Sequence, residues 1–455
     1  MWRCLTGLLL ASSLTAQIWS GDALAQSHAD NAADLVEAAA TITASDYVYP
    51  ELAEAGAAHI RQRLAEGGYD GLAGDVLADA LTTDLARATG DSHIRVIHDP
   101  ERVVFYRARA AREPDDDVRE QLEAARQANL AASRDAGFGF VSIARLPGQV
   151  GYVRIDEFDS NLLTDGQTYL GEALRLIDGV DSLVLDLRYC VGGNLDVVSY
   201  VLGYLFTGDA VEIGRQIERW QGLDEPVLTP ERLPGPRFGD VPVYVLTSGM
   251  TFSGGEHMAY HLQSLGRSTA VIGERTYGGG IGWDPVVLND HFYIRIPRSL
   301  VINAQSRTLF AEGAGVMPDV VVEAGRALDQ AWLRALDDRL SEADPADERE
   351  ALTWTRRIAA ARAAPDLPIV GMIETARPGN YGPYQFTRRG ADLMLSFNGR
   401  PAYRLEPLGD DVWFDDRSLQ RQFRFIDAEN GTAQVIMSRL HDDGEVERDA
   451  IRLDG

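Results

Sequence analysis

The stretch Leu246-Thr247-Ser248-Gly249-Met250-Thr251-Phe252-Ser253-Gly254-Gly255-Glu256 decides the fold. An apolar run, Val243 to Leu246, leads into it, and apolar residues at helical spacing follow it from Gly254 to Leu265. A strand that turns through serine and glycine into a helix brings a side-chain oxygen and backbone N–H groups to one spot. The Gly254 N–H would lie at the positive end of the helix dipole, and glycine lets a substrate backbone come close. Such a turn can hold a nucleophile and bind an oxyanion. A plain helix N-cap accounts for the same serine, Ser253.

Outward from this turn, the strand Leu183–Leu187, the helix Leu195–Leu205, the strand at Val243, the helix from Gly254 and the strand Ala270–Ile272 alternate as βαβαβ. That is an α/β layer, with active loops at the strand ends. Phe140–Ile143, Val150–Ile155 and Phe292–Ile296 are further short β-rich runs. A second glycine turn, Leu185-Asp186-Leu187-Arg188-Tyr189-Cys190-Val191-Gly192-Gly193-Asn194, ends the first of the strands. Gly192 or Gly193 could supply the other oxyanion N–H, although paired glycines are frequent in ordinary turns, and Asp186 with Arg188 can be a local ion pair.

Before Gly137 the texture is helical. Apolar residues recur at helical spacing from Ala33 to about Ala88, punctuated by Pro50 and Gly67-Gly68, which predicts a small bundle. Arg107 to Arg134 reads as a charged, alanine-rich helix with no strong apolar face, more surface spacer than core. Ala327 to Arg362 is helical again, broken near Asp344-Pro345, and Pro365 and Pro368 mark a linker. Beyond it, alternation in Asp392–Phe397 and Gln434–Met437, with a hairpin turn at Asn430-Gly431, predicts a small antiparallel β-domain.

The chain has 455 residues, 45% hydrophobic and 25% charged, too many for one compact core. Its formal charge of −26 opposes encounters with nucleic acid and anionic lipid surfaces. Met1-Trp2-Arg3, the apolar stretch Leu5–Ala16 and the small-x-small run Ala23-Leu24-Ala25 read as a secretory signal peptide. The apolar stretch is shorter than the roughly 20 residues that span a bilayer, so no integral membrane segment is expected after cleavage. Cys4 lies upstream of most of that stretch, not at the cleavage point, which argues against lipidation. Removal of the segment leaves only Cys190, so no intramolecular disulfide can form. Cys190 is a lesser candidate nucleophile, because buried single cysteines usually pack.

The eight histidines offer the general base. His93, in Gly90-Asp91-Ser92-His93, ends the bundle in a polar turn. His257 lies one helical turn past Ser253 and leans back toward it, whereas His261 is a turn too far.

Four segments, in order, resemble the tricorn-core and C-terminal processing serine peptidases. They are Asp91-Ser92-His93, Leu185–Gly193, Thr251–Glu256 with Val271–Gly280, and Phe310-Ala311-Glu312-Gly313-Ala314-Gly315-Val316-Met317-Pro318-Asp319. The resemblance covers roughly 33–322, and four matches in order are far more specific than any one. The stretch from Gly137 to Tyr152 looks closest to the repeats of interphotoreceptor retinoid-binding protein. No separate peptide-binding module is evident. The family's serine-lysine branch carries a lysine where this chain has Tyr277-Gly278-Gly279-Gly280, so the resemblance implies the histidine arrangement instead. It implies Ser253 as nucleophile, His93 as base, Glu312 as the carboxylate holding the imidazole, and Gly254 with Gly192 or Gly193 as the oxyanion hole, with neither metal nor organic cofactor.

The expected architecture is therefore α/β. A signal peptide (1–25), a helical bundle (26–98) and a charged helical spacer (99–136) precede a crotonase-like core (137–364), and a β-domain (369–455) follows it. The expected activity is an exported, periplasmic or secreted peptidase acting on peptides or unfolded proteins. A non-proteolytic binder of apolar ligands on the same scaffold and a small-molecule esterase or amidase are the rival readings.

Overall fold

The computed structural model describes residues 21–91, 93–110, 116–303, 306, 308–309, 314–342, 346–364, 372, 375–428, 431–441 and 445–453. Most of the signal segment, Cys4, Ser92, Glu312, the Asp344-Pro345 break, Pro365, Pro368 and Asn430 lie outside the described residues. The chain forms two units, one of 1–119, 217–223 and 282–300, the other of 120–216, 224–281 and 301–455. Elements are numbered along the chain.

In the first unit, α1 (Gly21–Asp46), α2 (Pro50–Ala65) and α3 (Gly74–Thr89) form the expected bundle. Leu35, Val36 and Ala39 of α1, Ala53, Ala57 and Ile60 of α2, and Leu77, Leu81 and Leu85 of α3 are buried. Proline opens α2, where its missing N–H costs nothing, and Gly90 closes α3 in the left-handed region (φ 73°). β1 (Arg95–His98) then pairs antiparallel with β10 (Phe292–Ile296), which pairs with β9 (Asp284–Val287). Thus the run Phe292–Ile296 serves this small sheet rather than the large one.

The presumed spacer is two helices, α4 (Pro100–Ala110) and α5 (Asp116–Asp135). Each has a buried apolar residue, Val103 in α4 and Leu130 in α5, a pattern too sparse to register as an apolar face.

The second unit is built on a six-stranded sheet in the order β12-β8-β7-β4-β3-β2. Its strands are β2 (Phe140–Leu146), β3 (Val150–Ile155), β4 (Ser182–Asp186), β7 (Val243–Thr247), β8 (Ala270–Gly273) and β12 (Val320–Val321). All neighbours run parallel except β2 against β3. Strands covered on both faces need apolar residues at every position, and β4 and β7 are buried throughout. Their parity sorts them. Leu183, Leu185, Val243, Val245 and Val271 face a core shared with α6 (Gln167–Leu174), α7 (Leu195–Leu202) and α8 (Gly254–Ser264). Val184, Tyr244, Leu246 and Ile272 face a second core with α9 (Ala324–Glu342) and α10 (Ala346–Ala363). β5 (Glu212–Glu218), β6 (Leu223–Leu228) and β11 (Leu300–Asn303) make a further three-stranded sheet.

The C-terminal region is an eight-stranded antiparallel meander, β13 (Gly379–Tyr381), β14 (Tyr384–Arg389), β15 (Asp392–Phe397), β16 (Tyr403–Gly409), β17 (Val412–Phe414), β18 (Arg421–Asp427), β19 (Ala433–Leu440) and β20 (Val446–Arg452). One face carries its own aromatic core, including Tyr381, Phe386, Trp413 and Phe423. On the other side Leu408, Val412 and Phe414 join Leu352, Trp354 and Ile358 of α10, and the Trp354 indole donates to the Leu419 carbonyl at 2.8 Å. Among the described residues no helix is long and apolar enough to cross a membrane.

Candidate active site

β7 ends at Thr247, and its continuation, Ser248 to Ser253, crosses to α8 as a braced turn. The Thr251 hydroxyl donates to the Leu187 carbonyl (2.8 Å) and accepts from the Ser248 N–H (2.9 Å), while the Phe252 N–H donates to the Cys190 carbonyl (2.9 Å). These bonds tie the serine turn to the glycine turn that follows β4. The glycine turn is itself clamped, because Arg188 grips Asp186 with two guanidinium bonds (2.9 and 2.6 Å) and its own N–H (3.1 Å). Asp186 also accepts from the Tyr152 hydroxyl at 2.7 Å. The expected ion pair is present, and it fixes the end of the strand.

Ser253 sits at the head of α8 with φ 51° and ψ −117°. An ordinary N-cap is extended, and a non-glycine residue held here stores of order 1–3 kcal/mol of backbone strain. The turn is held in that shape by Glu256, which is fully buried. One of its oxygens accepts from the Ser253 N–H (3.0 Å) and the Gly279 N–H (2.8 Å), the other from the Thr276 hydroxyl (2.6 Å) and the Gly278 N–H (2.6 Å). One carboxylate thus joins the serine turn to the glycine turn after β8.

Gly192 and Gly193 have φ of 104° and 126°, backbone that favours glycine. A Cβ on Gly192 would stand 2.6 Å from the Ser253 Cβ, and one on Gly254 would stand 3.2 Å from the Gly193 nitrogen. Ser253, Gly254, Gly192 and Gly193 are therefore brought together. Among the described residues no backbone carbonyl accepts from Gly192, Gly193 or Gly254.

Cys190 is wholly buried, and burial pushes its thiol up to about 12. Its sulfur would lie 3.0 Å from a Cβ on Gly255, beneath the first turn of α8. It packs, and a thiol so hard to ionise is no nucleophile. His257 points its Nε2 at the Gly280 carbonyl, and burial lowers it to about 4. His261 is lowered to about 3, first by burial and then by His257.

His93 belongs to the first unit. After Gly90, Asp91 folds back on the chain, and its Oδ1 accepts from the His93 N–H (2.7 Å) and lies 2.9 Å from His93 Nδ1. Its Oδ2 accepts from the Tyr47 hydroxyl at 2.8 Å. Burial would raise this carboxyl, but the bonds from His93 and Tyr47 outweigh it and hold Asp91 below its usual range. In the sequence, Asp91 and Glu256 stand out only as members of motifs, with no role of their own. The Asp-x-His spacing was the available signal for the first, since a short acidic side chain commonly bonds the backbone two residues on.

A strained serine between a parallel strand and a helix, beside a glycine turn, is the geometry of a serine hydrolase. Residues 149–322 match the model of peptidase family S41. That segment, less than half of the chain, is similar to this family, and the match supports a serine peptidase hydrolase. Similar solved structures include the photosystem II D1 C-terminal processing protease, at 18% identity over 64% of this chain and 93% of that one, with a TM-score of 0.44. A peptidase described from Parabacteroides merdae is 18% identical over 64% and 90%, with a TM-score of 0.44. The tricorn protease is 16% identical over 72% and 37%, with a TM-score of 0.38.

Proposed function

We propose that this chain is an exported peptidase that cleaves peptides or unfolded proteins through an acyl-enzyme on Ser253, within a crotonase-like core. His93 takes the Ser253 proton, and the alkoxide attacks the peptide carbonyl. His93 then returns the proton to the leaving amine, and water hydrolyses the ester. The Gly254 N–H and that of Gly192 or Gly193 receive the oxyanion, each worth about 2.7–4 kcal/mol to the transition state. A carboxylate holds the far side of the imidazole, the role the resemblance gives to Glu312.

The observation that carries this reading is the strained Ser253 backbone (φ 51°) against the Gly192-Gly193 turn. A pure binder needs no such strain, and stored strain is retained where chemistry uses it. A fluorophosphonate probe should label the intact protein but not Ser253→Ala, and a mixed peptide library should give products only with the former. Labelling without peptide products would favour a small-molecule esterase. An unlabelled protein would return the scaffold to ligand binding.

A further inference from the structure

We infer that Asp91 positions the catalytic imidazole through its Nδ1, with Tyr47 holding Asp91 in turn; this rests on the reading of His93 as the base for Ser253. Imidazole Nδ1 carries at most one hydrogen and makes one strong bond in the ring plane. Asp91 already lies 2.9 Å from that nitrogen, and the same oxygen accepts the His93 N–H at 2.7 Å. The two bonds fix the ring from the residue's own backbone, so the orientation is set locally, two residues away in sequence.

A carboxylate on Nδ1 accepts a proton there and leaves Nε2 as the acceptor, the tautomer that can receive a serine proton. Once His93 takes that proton, the adjacent anion balances the imidazolium. The carboxylate is built for this. Only 5% of its side chain is exposed, so its interaction with the ring is little screened. Its second oxygen is occupied by the hydroxyl of Tyr47, itself 1% exposed, from the α1–α2 connection. Asp91 donates its N–H to the Thr89 hydroxyl (3.2 Å) at the end of α3. Bundle and turn together make a socket for one carboxylate and one imidazole. Asp91 touches neither substrate nor reacting atom and is a positioning residue.

The test compares Asp91→Asn, Glu312→Gln and Tyr47→Phe in the full chain. It uses kcat and KM on a peptide substrate and 15N NMR of labelled histidine, with His93→Ala to assign the signal. Asp91→Asn should lower kcat by about 10³–10⁴-fold with KM nearly unchanged, because the amide can donate to Nδ1 and favour the wrong tautomer. The His93 signal should show Nε2 changing from acceptor to N–H. Glu312→Gln should keep the native tautomer, because the Asp91 carboxylate still holds Nδ1. Tyr47→Phe should keep the tautomer and lose about ten- to a hundredfold in kcat, the weight of one hydrogen bond to a charged group.

Native kcat and tautomer in Asp91→Asn would overturn the assignment, as would loss of the native tautomer in Glu312→Gln. If Asp91→Asn does not fold, the Glu312→Gln and Tyr47→Phe spectra still decide it, because a tautomer change in the former overturns it and an unchanged one supports it. If the native protein turns over no peptide, the reading of the site as a peptidase fails, while the tautomer measurement still judges Asp91 and His93.

Discussion

The turn that carries His93 and the helix that carries His257 and His261 hold the same side chain in opposite settings. His93 is set against a buried carboxylate held below its usual range, on a ring whose side chain is 12% exposed. His257 and His261 lie inside α8 with 1% exposure each and are kept neutral by burial. His261 Nδ1 has no hydrogen-bond partner among the described residues. A base must be able to hold a positive charge for part of each turnover, and only the first setting provides for it. Nearness to the serine in sequence, which left His257 open as a candidate, says nothing about that capacity.

The widest gap should come from deleting the imidazoles. His93→Ala should cut kcat by about 10⁴-fold or more, as loss of a triad base does elsewhere, with an unchanged melting temperature. His257→Phe should act mainly on the melting temperature. A dead, stably folded His257→Phe beside an active His93→Ala would reverse the comparison.

Glu256 marks the next step down, because it is the serine turn's counterpart of Asp91: a buried carboxylate whose partners are mostly backbone N–H groups. In Glu256→Gln the amide NH2 must face at least one of those donors, which should destabilise the fold by about 1–3 kcal/mol. Relaxation of the Ser253 turn should also slow turnover by about 10- to 100-fold. Thermal unfolding and kcat measured together check both, and a native melting temperature would show that the turn holds its shape without the carboxylate.

The smallest effect is acid lability. Histidines buried neutral, at about 4 for His257 and about 3 for His261, bind fewer protons folded than unfolded, where the value is near 6.5. Their contribution is whole above about pH 6.5 and is lost as pH falls toward 4, by about 1 kcal/mol per histidine at pH 5.5. Urea midpoints at pH 7.5 and 5.5 should show that loss, and His257→Phe should remove about half of it. An unchanged slope in that variant would mean that His257 is charged in the fold.

Much of the architecture is written in local pattern. The run Val243–Thr247 is apolar at every position because both its faces are covered, and the alternation in Asp392–Phe397 marks a strand with unlike faces. The helical periods of α1 to α3 and the glycine turns at Gly192-Gly193 and after Ser253 were legible for the same reason, since backbone preference is a property of short stretches. The burial of Val103 and Leu130 and the destination of Phe292–Ile296 were not, because both depend on partners distant in the chain.

The sequence by itself determined which residues could do chemistry: a serine at a strand-to-helix turn, glycines able to turn a chain against it, and histidines with carboxylates nearby in number. Tertiary structure alone decided among them. It bent Ser253 to φ 51°, spent the Cys190 thiol and the His257 ring on packing, and committed Glu256 to the serine turn. It also placed the Tyr47 hydroxyl on Asp91, 44 residues away in sequence. Strain, burial and the pairing of charges are set by what lies across space from a residue, and no local pattern encodes them.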